Sequence, residues 1–346
     1  MQKIIVAAPD AGQRLDKFLQ KFLREAEKGF LYKMLRKKNI TLNGGRADGS
    51  EKLSAGDEIC FFFSNETFEK FRGQNAVAGP VRTLSGTEKL AVVFEDEHVL
   101  FADKPAGMLT QKAKAEDISL CDHIAAYLAA GGKNSALTFS VGTANRLDRN
   151  TSGLVAAGKT LAGQQLLTAL LRERRIEKYY WCIVCGRITA PLHLKQYYLK
   201  DVTTNTAQLM DAPAEGAQEA ELMAYPLAPL AEDHTLLKVH LITGRTHQIR
   251  AQLAAAGHPV LGDGKYGNKR LNQAFTDRTG YALRHQLLHA REMCIPGPEA
   301  DEITKLGLSE TAAEEWQRLS SKTVTAPLPA SFKTCLRYLG GEAYVR

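Results

Sequence analysis

No stretch of this chain approaches the roughly 18 consecutive apolar residues that cross a bilayer. Residues 1–10 hold too short an apolar run for a signal peptide. A cytoplasmic location and no membrane partner are therefore expected. The chain has no G-x-G-x-x-G and no Walker loop, which disfavours nucleotide-cofactor folds. Cysteine is sparse: Cys60, Cys121, Cys182, Cys185, Cys294 and Cys335 are scattered, mostly in apolar stretches, as reduced buried thiols would be. Cys182 and Cys185 form a lone CxxC with neither a second pair nor a nearby His, so a tetrahedral zinc site is not expected. In an extended strand, residues three apart point to opposite faces, which also argues against a shared ligand.

What the chain has is length and positive charge. Its 346 residues suggest two or three domains, and 44% apolar against 24% charged residues is ordinary for a globular protein with a sizeable core. The net charge of +7 favours polyanionic partners such as RNA, DNA or an acidic membrane face.

Residues 12–64 read as one compact unit. Leu15, Phe18, Leu19, Phe22 and Leu23 line one face of a helix, with Asp16 in its first turn, where a carboxylate suits the dipole. A second helix begins near Lys28, and Leu31 to Ile40 carries four positive charges (Lys33, Arg36, Lys37, Lys38) and no negative one. A short strand at 40–42 leads to an Asn-Gly turn, and 53–59 supplies another turn and strand. A charge run is more often a solvated helix face than a binding site. The order of parts, however, resembles the alpha-L RNA-binding module of a small-subunit ribosomal protein and many RNA-modifying enzymes. That resemblance, over about fifty residues, implies phosphate contacts by the four basic side chains, which position the RNA without reading its sequence. The division expected is a module at 1–64, a linker at 65–87, where Gly, Pro and polar residues replace periodicity, and a catalytic domain at 88–346.

From Leu90 the pattern changes. Strand candidates at 90–94, 99–102, 178–185, 221–225 and 235–242, with a helix near 122–130, point to an α+β domain on a largely antiparallel mixed sheet flanked by helices and loops. Three stretches carry chemistry. In 145–155, Asp148 sits between Arg146 and Arg149 and is followed by Asn, Thr, Ser and Gly. Nearby cations would keep its carboxylate ionised. Arg14-Leu15-Asp16 repeats the tripeptide, but a plain amphipathic helix comes next, so Asp16 reads as structural. In 177–186, a strand sends Tyr180, Cys182 and Val184 to one face and Tyr179, Trp181 and Ile183 to the other. A tyrosine there could stack on a base or accept a proton, although a strand tyrosine is more often core. In 241–250, a strand ends at Thr243-Gly244 and a helix opens near Thr246, bracketed by Arg245 and Arg250. Either arginine could pair with a carboxylate, or both could be solvated helix-end residues.

In this order the motifs resemble the RluA family of pseudouridine synthases over about residues 90–295. They are Lys-Pro-Ala-Gly (104–107), Arg-Leu-Asp-x-x-Thr-Ser-Gly-Leu (146–154), Lys-x-Tyr (Lys178, Tyr180), Thr-Gly-Arg-Thr-His-Gln-Ile-Arg (243–250), Gly-His-Pro (257–259) and Leu-His-Ala (288–290). The resemblance implies Asp148 as the catalytic aspartate, with Arg250 paired to it. It implies Tyr180 stacked on the uracil and assisting proton removal, Arg146 filling the gap left by a flipped nucleotide, and Arg245 on RNA. Asn145 stands where the family most often has His, and the acidic, partly helical segment 291–322 does not map onto the family.

Pseudouridine formation breaks a glycosidic bond, turns the uracil and rejoins it through carbon five. It needs no cofactor or metal, and none is expected. The partner expected is structured RNA, most often large-subunit ribosomal RNA for a member with an alpha-L module, bound by a monomer. The rivals are a transfer RNA enzyme, a non-catalytic RNA-binding ribosome-assembly factor with a decayed site, and a hydrolase using Asp148 and His247.

Overall fold

The computed structural model describes residues 1–72, 90–131, 137–201 and 206–345. The front module is a four-stranded antiparallel sheet with two helices against it. β1 (Gln2–Ile5), α1 (Leu15–Phe22), α2 (Lys28–Arg36), β2 (Ile40–Leu42), β3 (Gly45–Arg46) and β4 (Glu58–Phe61) occur in that order, and the strands lie β1-β4-β2-β3. The apolar stripe of α1 is why the module has a core. Leu15, Phe18, Leu19 and Phe22 are buried with Leu31, Leu35, Ile59 and Phe61. Asp16 is structural, as expected. It accepts from Arg14 Nε (3.1 Å) and Tyr32 Oη (2.8 Å), which ties α1 to α2.

The linker expected at 65–87 begins differently. Residues Asn65–Arg72 form a helix, α3, with Phe68 buried. Phe68 packs against Phe22 and Phe61, with ring centroids 6.0 and 5.2 Å away. So few aromatics in eight residues leave no apolar period to read, and tertiary packing alone reveals this helix. Residues 73–87 lie outside the described residues.

The large domain contains β5 (Val92–Glu95), β6 (Val99–Lys104), α4 (Leu120–Ala130), β7 (Gly142–Thr143), β8 (Ser152–Gly158), α5 (Leu161–Arg172), β9 (Glu177–Cys185), β10 (Leu192–Asp201), β11 (Thr206–Met210), β12 (Gln218–Leu230), β13 (His234–Leu241), α6 (Gln248–Ala255), α7 (Lys269–Thr279), β14 (Leu288–Ile295), α8 (Glu302–Lys305), α9 (Glu310–Leu319), β15 (Lys322–Thr325) and α10 (Ala330–Tyr338). The sheet runs β11-β10-β12-β13-β9-β14-β8-β6-β5, with β15 on β14 and β7 on β8. It is a mixed, mostly antiparallel sheet, as expected. Among the described strands only β14 and β8 pair in parallel. At that seam Gly153 (φ 113°) lies so close to β14 that a Cβ would fall 2.2 Å from the Ala290 carbonyl oxygen. No side chain fits there, and the backbone conformation favours glycine as well.

Helices cover both faces. On one, Tyr180, Cys182 and Val184 pack with α4 (Leu120, Ile124, Leu128) and α6 (Ile249, Leu253). On the other, Ile183 and Cys185 meet α7 and α10 (Phe275, Phe332, Leu336). Cys182 and Cys185 thus sit in different cores, as alternation required. The segment 291–322 comprises most of β14, α8 and α9. Its inner face (Ala312, Trp316, Leu319) is buried against α5, and Trp316 Nε1 donates to the Pro296 carbonyl (2.7 Å).

One buried carboxylate joins module and domain. Asp10, with no solvent exposure, accepts from Leu137 N, Thr138 N, Thr138 Oγ1 and Phe139 N at 2.5–2.9 Å. No helix among the described residues is long and apolar enough to cross a membrane.

Candidate active site

Asp148 lies in the loop that enters β8, beside the parallel seam. The loop is pinned at nearly every residue. Thr110 Oγ1 donates to the Leu147 carbonyl (2.9 Å) and accepts from Leu147 N (3.1 Å). Gly107 N donates to the Arg149 carbonyl (2.8 Å). Gln286 Nε2 donates to Thr151 Oγ1 (3.1 Å). Ser152 Oγ and His289 Nδ1 are 2.9 Å apart. Asn145 braces the approach, donating to the Leu154 carbonyl (3.3 Å) and accepting from Ala156 N (2.8 Å). Clamps of this kind hold a reacting group near its productive geometry.

Lys104 is the least expected of these pins. Its side chain is wholly buried and donates to the carbonyls of Pro105 (2.9 Å), Met108 (2.9 Å) and Arg149 (3.0 Å). Burial pushes its pKa down to about 7, while Asp148 and Asp103 oppose that shift. Three carbonyls match the three N–H bonds of an ammonium. A neutral amine would turn its lone pair on one of them, so the geometry favours the charged form.

Arg250 is no solvated helix-end residue. It is 7% exposed on the first turn of α6 and grips two carboxylates. Nη1 donates to Asp148 Oδ2 (2.9 Å). Nε and Nη2 donate to Asp263 Oδ2 and Oδ1 (2.7 and 2.9 Å), a bidentate pair. Asp263 is fully buried and also accepts from Lys265 N (2.8 Å) and Tyr266 N (3.1 Å). Burial raises its pKa, but the Arg250 guanidinium and the two amides more than reverse that, leaving it below the ordinary carboxylate range. Burial works against the charge on Arg250, yet the two carboxylates raise its pKa, so it stays cationic. Arg250 also lies over the Tyr266 ring, 5.2 Å from the centroid. Sequence reasoning missed Asp263. The signal available was the Gly-Asp step of 262–263 in a glycine-rich loop. A Cβ at Gly267 would fall 2.0 Å from the Asp263 carbonyl oxygen, so the loop closes only around glycine there.

The cleft above Asp148 holds about 80 Å³ and is lined by Arg146, Asp148, Tyr180, Arg245, His247 and Arg250, among others. The structure thus brings together every site residue expected in the large domain. Tyr180 is buried, and burial together with the charge of Asp148 raises its pKa further above the ordinary phenol range. It is a neutral phenol at working pH, not a phenolate base. His247 adopts a left-handed backbone (φ 57°) just before α6, and its Nδ1 is 3.1 Å from Tyr266 Oη. Asp148 takes its bond from Arg250 instead, so the hydrolase arrangement has no support. Lys33, Arg36, Lys37 and Lys38 are all exposed on the module, at α2 and the turn after it, and none of them lines this cleft.

A family model described as RNA pseudouridylate synthase matches residues 98–255. The ribosomal large subunit pseudouridine synthase C of Salmonella typhimurium is 27% identical over 97% of this chain and 96% of its own length. The protein of that name from Vibrio vulnificus is 29% identical over 84% of this chain and 87% of its own. Among solved structures, human RNA pseudouridylate synthase domain containing 4 matches with a TM-score of 0.54 at 18% identity. The match covers 72% of this chain and 93% of that one, a likeness of fold.

Proposed function

We propose that this chain, which belongs to the RNA pseudouridylate synthase family and so is an isomerase converting uridine to pseudouridine in RNA, acts on large-subunit ribosomal RNA through Asp148. The observation that carries the reading is the Asp148–Arg250 contact of 2.9 Å, set in a cleft that Tyr180 also lines. The full-length relatives named for the ribosomal large subunit support the choice of RNA.

In this reading the target uridine leaves its helix, at a cost of a few kcal/mol. The exposed Arg146 fills the space left behind, and Arg245 meets the backbone. The uracil lies against Tyr180, which contributes a flat protonated phenol. Asp148 is the catalytic carboxylate, paired with and aimed by Arg250. The C1′–N1 bond breaks, the uracil turns, a C1′–C5 bond forms, C5 gives up its proton and N1 gains one. The sum is an isomerisation, with no atom gained or lost.

Release of tritium from uridine labelled at carbon five in large-subunit ribosomal RNA measures this turnover. Wild type should release it and Asp148→Asn should not, while both bind the RNA equally. Substantial release by the variant would overturn the role of Asp148. Pseudouridine mapping in a deletion strain tests the substrate. Sites lost from transfer RNA, with ribosomal RNA unchanged, would overturn the ribosomal assignment.

A further inference from the structure

Beside the Asp148 cleft lies a second, wider one of about 430 Å³ whose charged lining is cationic throughout: Arg146, Arg172, Arg174, Lys178 and Arg245, with no Asp or Glu among the lining residues. The two clefts share Arg146, Tyr180, Leu241, Gly244 and Arg245, so they are continuous. Arg146 and Arg245 already have proposed RNA contacts. Arg174 and Lys178 do not, and neither has a role in the Asp148–Arg250–Asp263 cluster.

Three observations set this wall apart from an ordinary solvated charge run. Lys178 is the second residue of β9 and is half-buried, and burial together with the charge of Arg174 lowers its pKa. Two cations are thus held close enough to oppose each other, which is unfavourable without an anion between them. Among the described residues, Glu173 pairs with Arg172 (2.8 Å), Glu221, whose charge reaches Arg174, pairs with His193 (2.9 Å) and Lys195 (3.8 Å), and Glu177, which accepts from Tyr179 Oη (3.1 Å), alternates to the strand face opposite Lys178. Finally, Arg174 lies just beyond α5 in the left-handed region (φ 58°), a position where glycine or asparagine is usual because a Cβ is strained there.

We infer that Arg174 and Lys178, with Arg146 and Arg245 at the mouth, form a phosphate-binding groove for the RNA backbone next to the extruded uridine. The inference rests on the chain acting on RNA. The groove holds the strand by charge and reads no sequence, which complements the contacts expected of the module. Anchoring the backbone beside the target would keep the flipped nucleotide from falling back into its helix.

The test uses the full-length chain and a large-subunit ribosomal RNA fragment, with dissociation constants measured across a salt series. Each phosphate contact contributes about 0.7 to 0.9 to the slope of log affinity against log salt. Arg174→Gln and Lys178→Gln should each lower the slope by about that much, and the double variant by about twice as much. Arg174→Lys, which keeps the charge, should restore it. Arg174 is exposed, so its variants do not threaten the fold, and thermal melts check that all variants remain folded. An unchanged slope in the folded double variant would overturn the groove, as would equal loss in Arg174→Gln and Arg174→Lys. Tritium release by wild type reports separately on the proposed isomerase activity, so the two can fail independently.

Discussion

Replacing Asp263 with Asn separates positioning from chemistry. The change is nearly isosteric but removes one of the two negative charges on Arg250. Asp263 is fully buried and accepts four hydrogen bonds, two from the guanidinium and two from backbone amides. The amide NH2 of Asn would point a donor at a donor, leaving one side of Arg250 unsatisfied in a buried place. Removing one partner of a buried ion pair typically costs about 3–5 kcal/mol. With an amide oxygen still present, a loss near 3 kcal/mol is expected in urea unfolding. Arg250 then answers to Asp148 alone, and misplacement by about 1 Å can cost on the order of 100-fold in rate. Asp148→Asn is the contrasting variant. Its side chain is 23% exposed and faces the cleft, so it should lose turnover with at most about 1 kcal/mol of stability. Single-turnover tritium release and urea unfolding, on both variants, decide the matter. If Asp263→Asn kept wild-type release while losing stability, Asp263 would serve the fold alone. If it kept both, the two-carboxylate grip on Arg250 would be wrong.

Asp10→Ala leaves three backbone N–H groups and the Thr138 hydroxyl without their acceptor. At about 1 kcal/mol for each donor left unpaired in a half-buried place, limited proteolysis near residue 137 should accelerate well before the large domain unfolds. Equal cleavage rates in wild type and variant would rule out a stabilising role. His289 is pushed down to about 3 by burial, so the unfolded chain takes up its proton first as pH falls below the ordinary His value. Stability from this group is present at neutral pH and is lost on acidification, by about 2 kcal/mol between pH 7 and 5. His289→Gln should flatten that part of the urea-unfolding profile, and an unchanged profile would count against the shift. Converting Lys33, Arg36, Lys37 and Lys38 to Gln should lower the salt slope of RNA binding by up to about 3.6, at about 0.7 to 0.9 for each phosphate lost. No change would mean that these side chains face only solvent.

The parts of this protein legible in sequence are those in which local pattern and tertiary role coincide. Alternation along 177–186 placed Tyr180, Cys182 and Val184 on the face they occupy, because both faces of β9 are buried and a slip by one residue would invert them. The stripe on α1 fixed its helix for the same reason. Asp148 differed from Asp16 only in its C-terminal neighbours: donors and a glycine that feed a buried strand in one case, a plain helix in the other. What stayed hidden depends on residues meeting across the fold. Asp263 is one carboxylate in a glycine-rich loop until α6 brings Arg250 against it. Lys104 reads as part of a tight bend until the Arg149 carbonyl arrives from 45 positions away. The Asp10 contact spans more than 125 positions. These three share a physical reason for being both invisible and consequential. Each is a buried charge, tolerable only because distant chain segments satisfy it. No local period can encode that, and the same dependence makes each one a point where a single substitution should loosen the loop carrying Asp148 or the module that accompanies it.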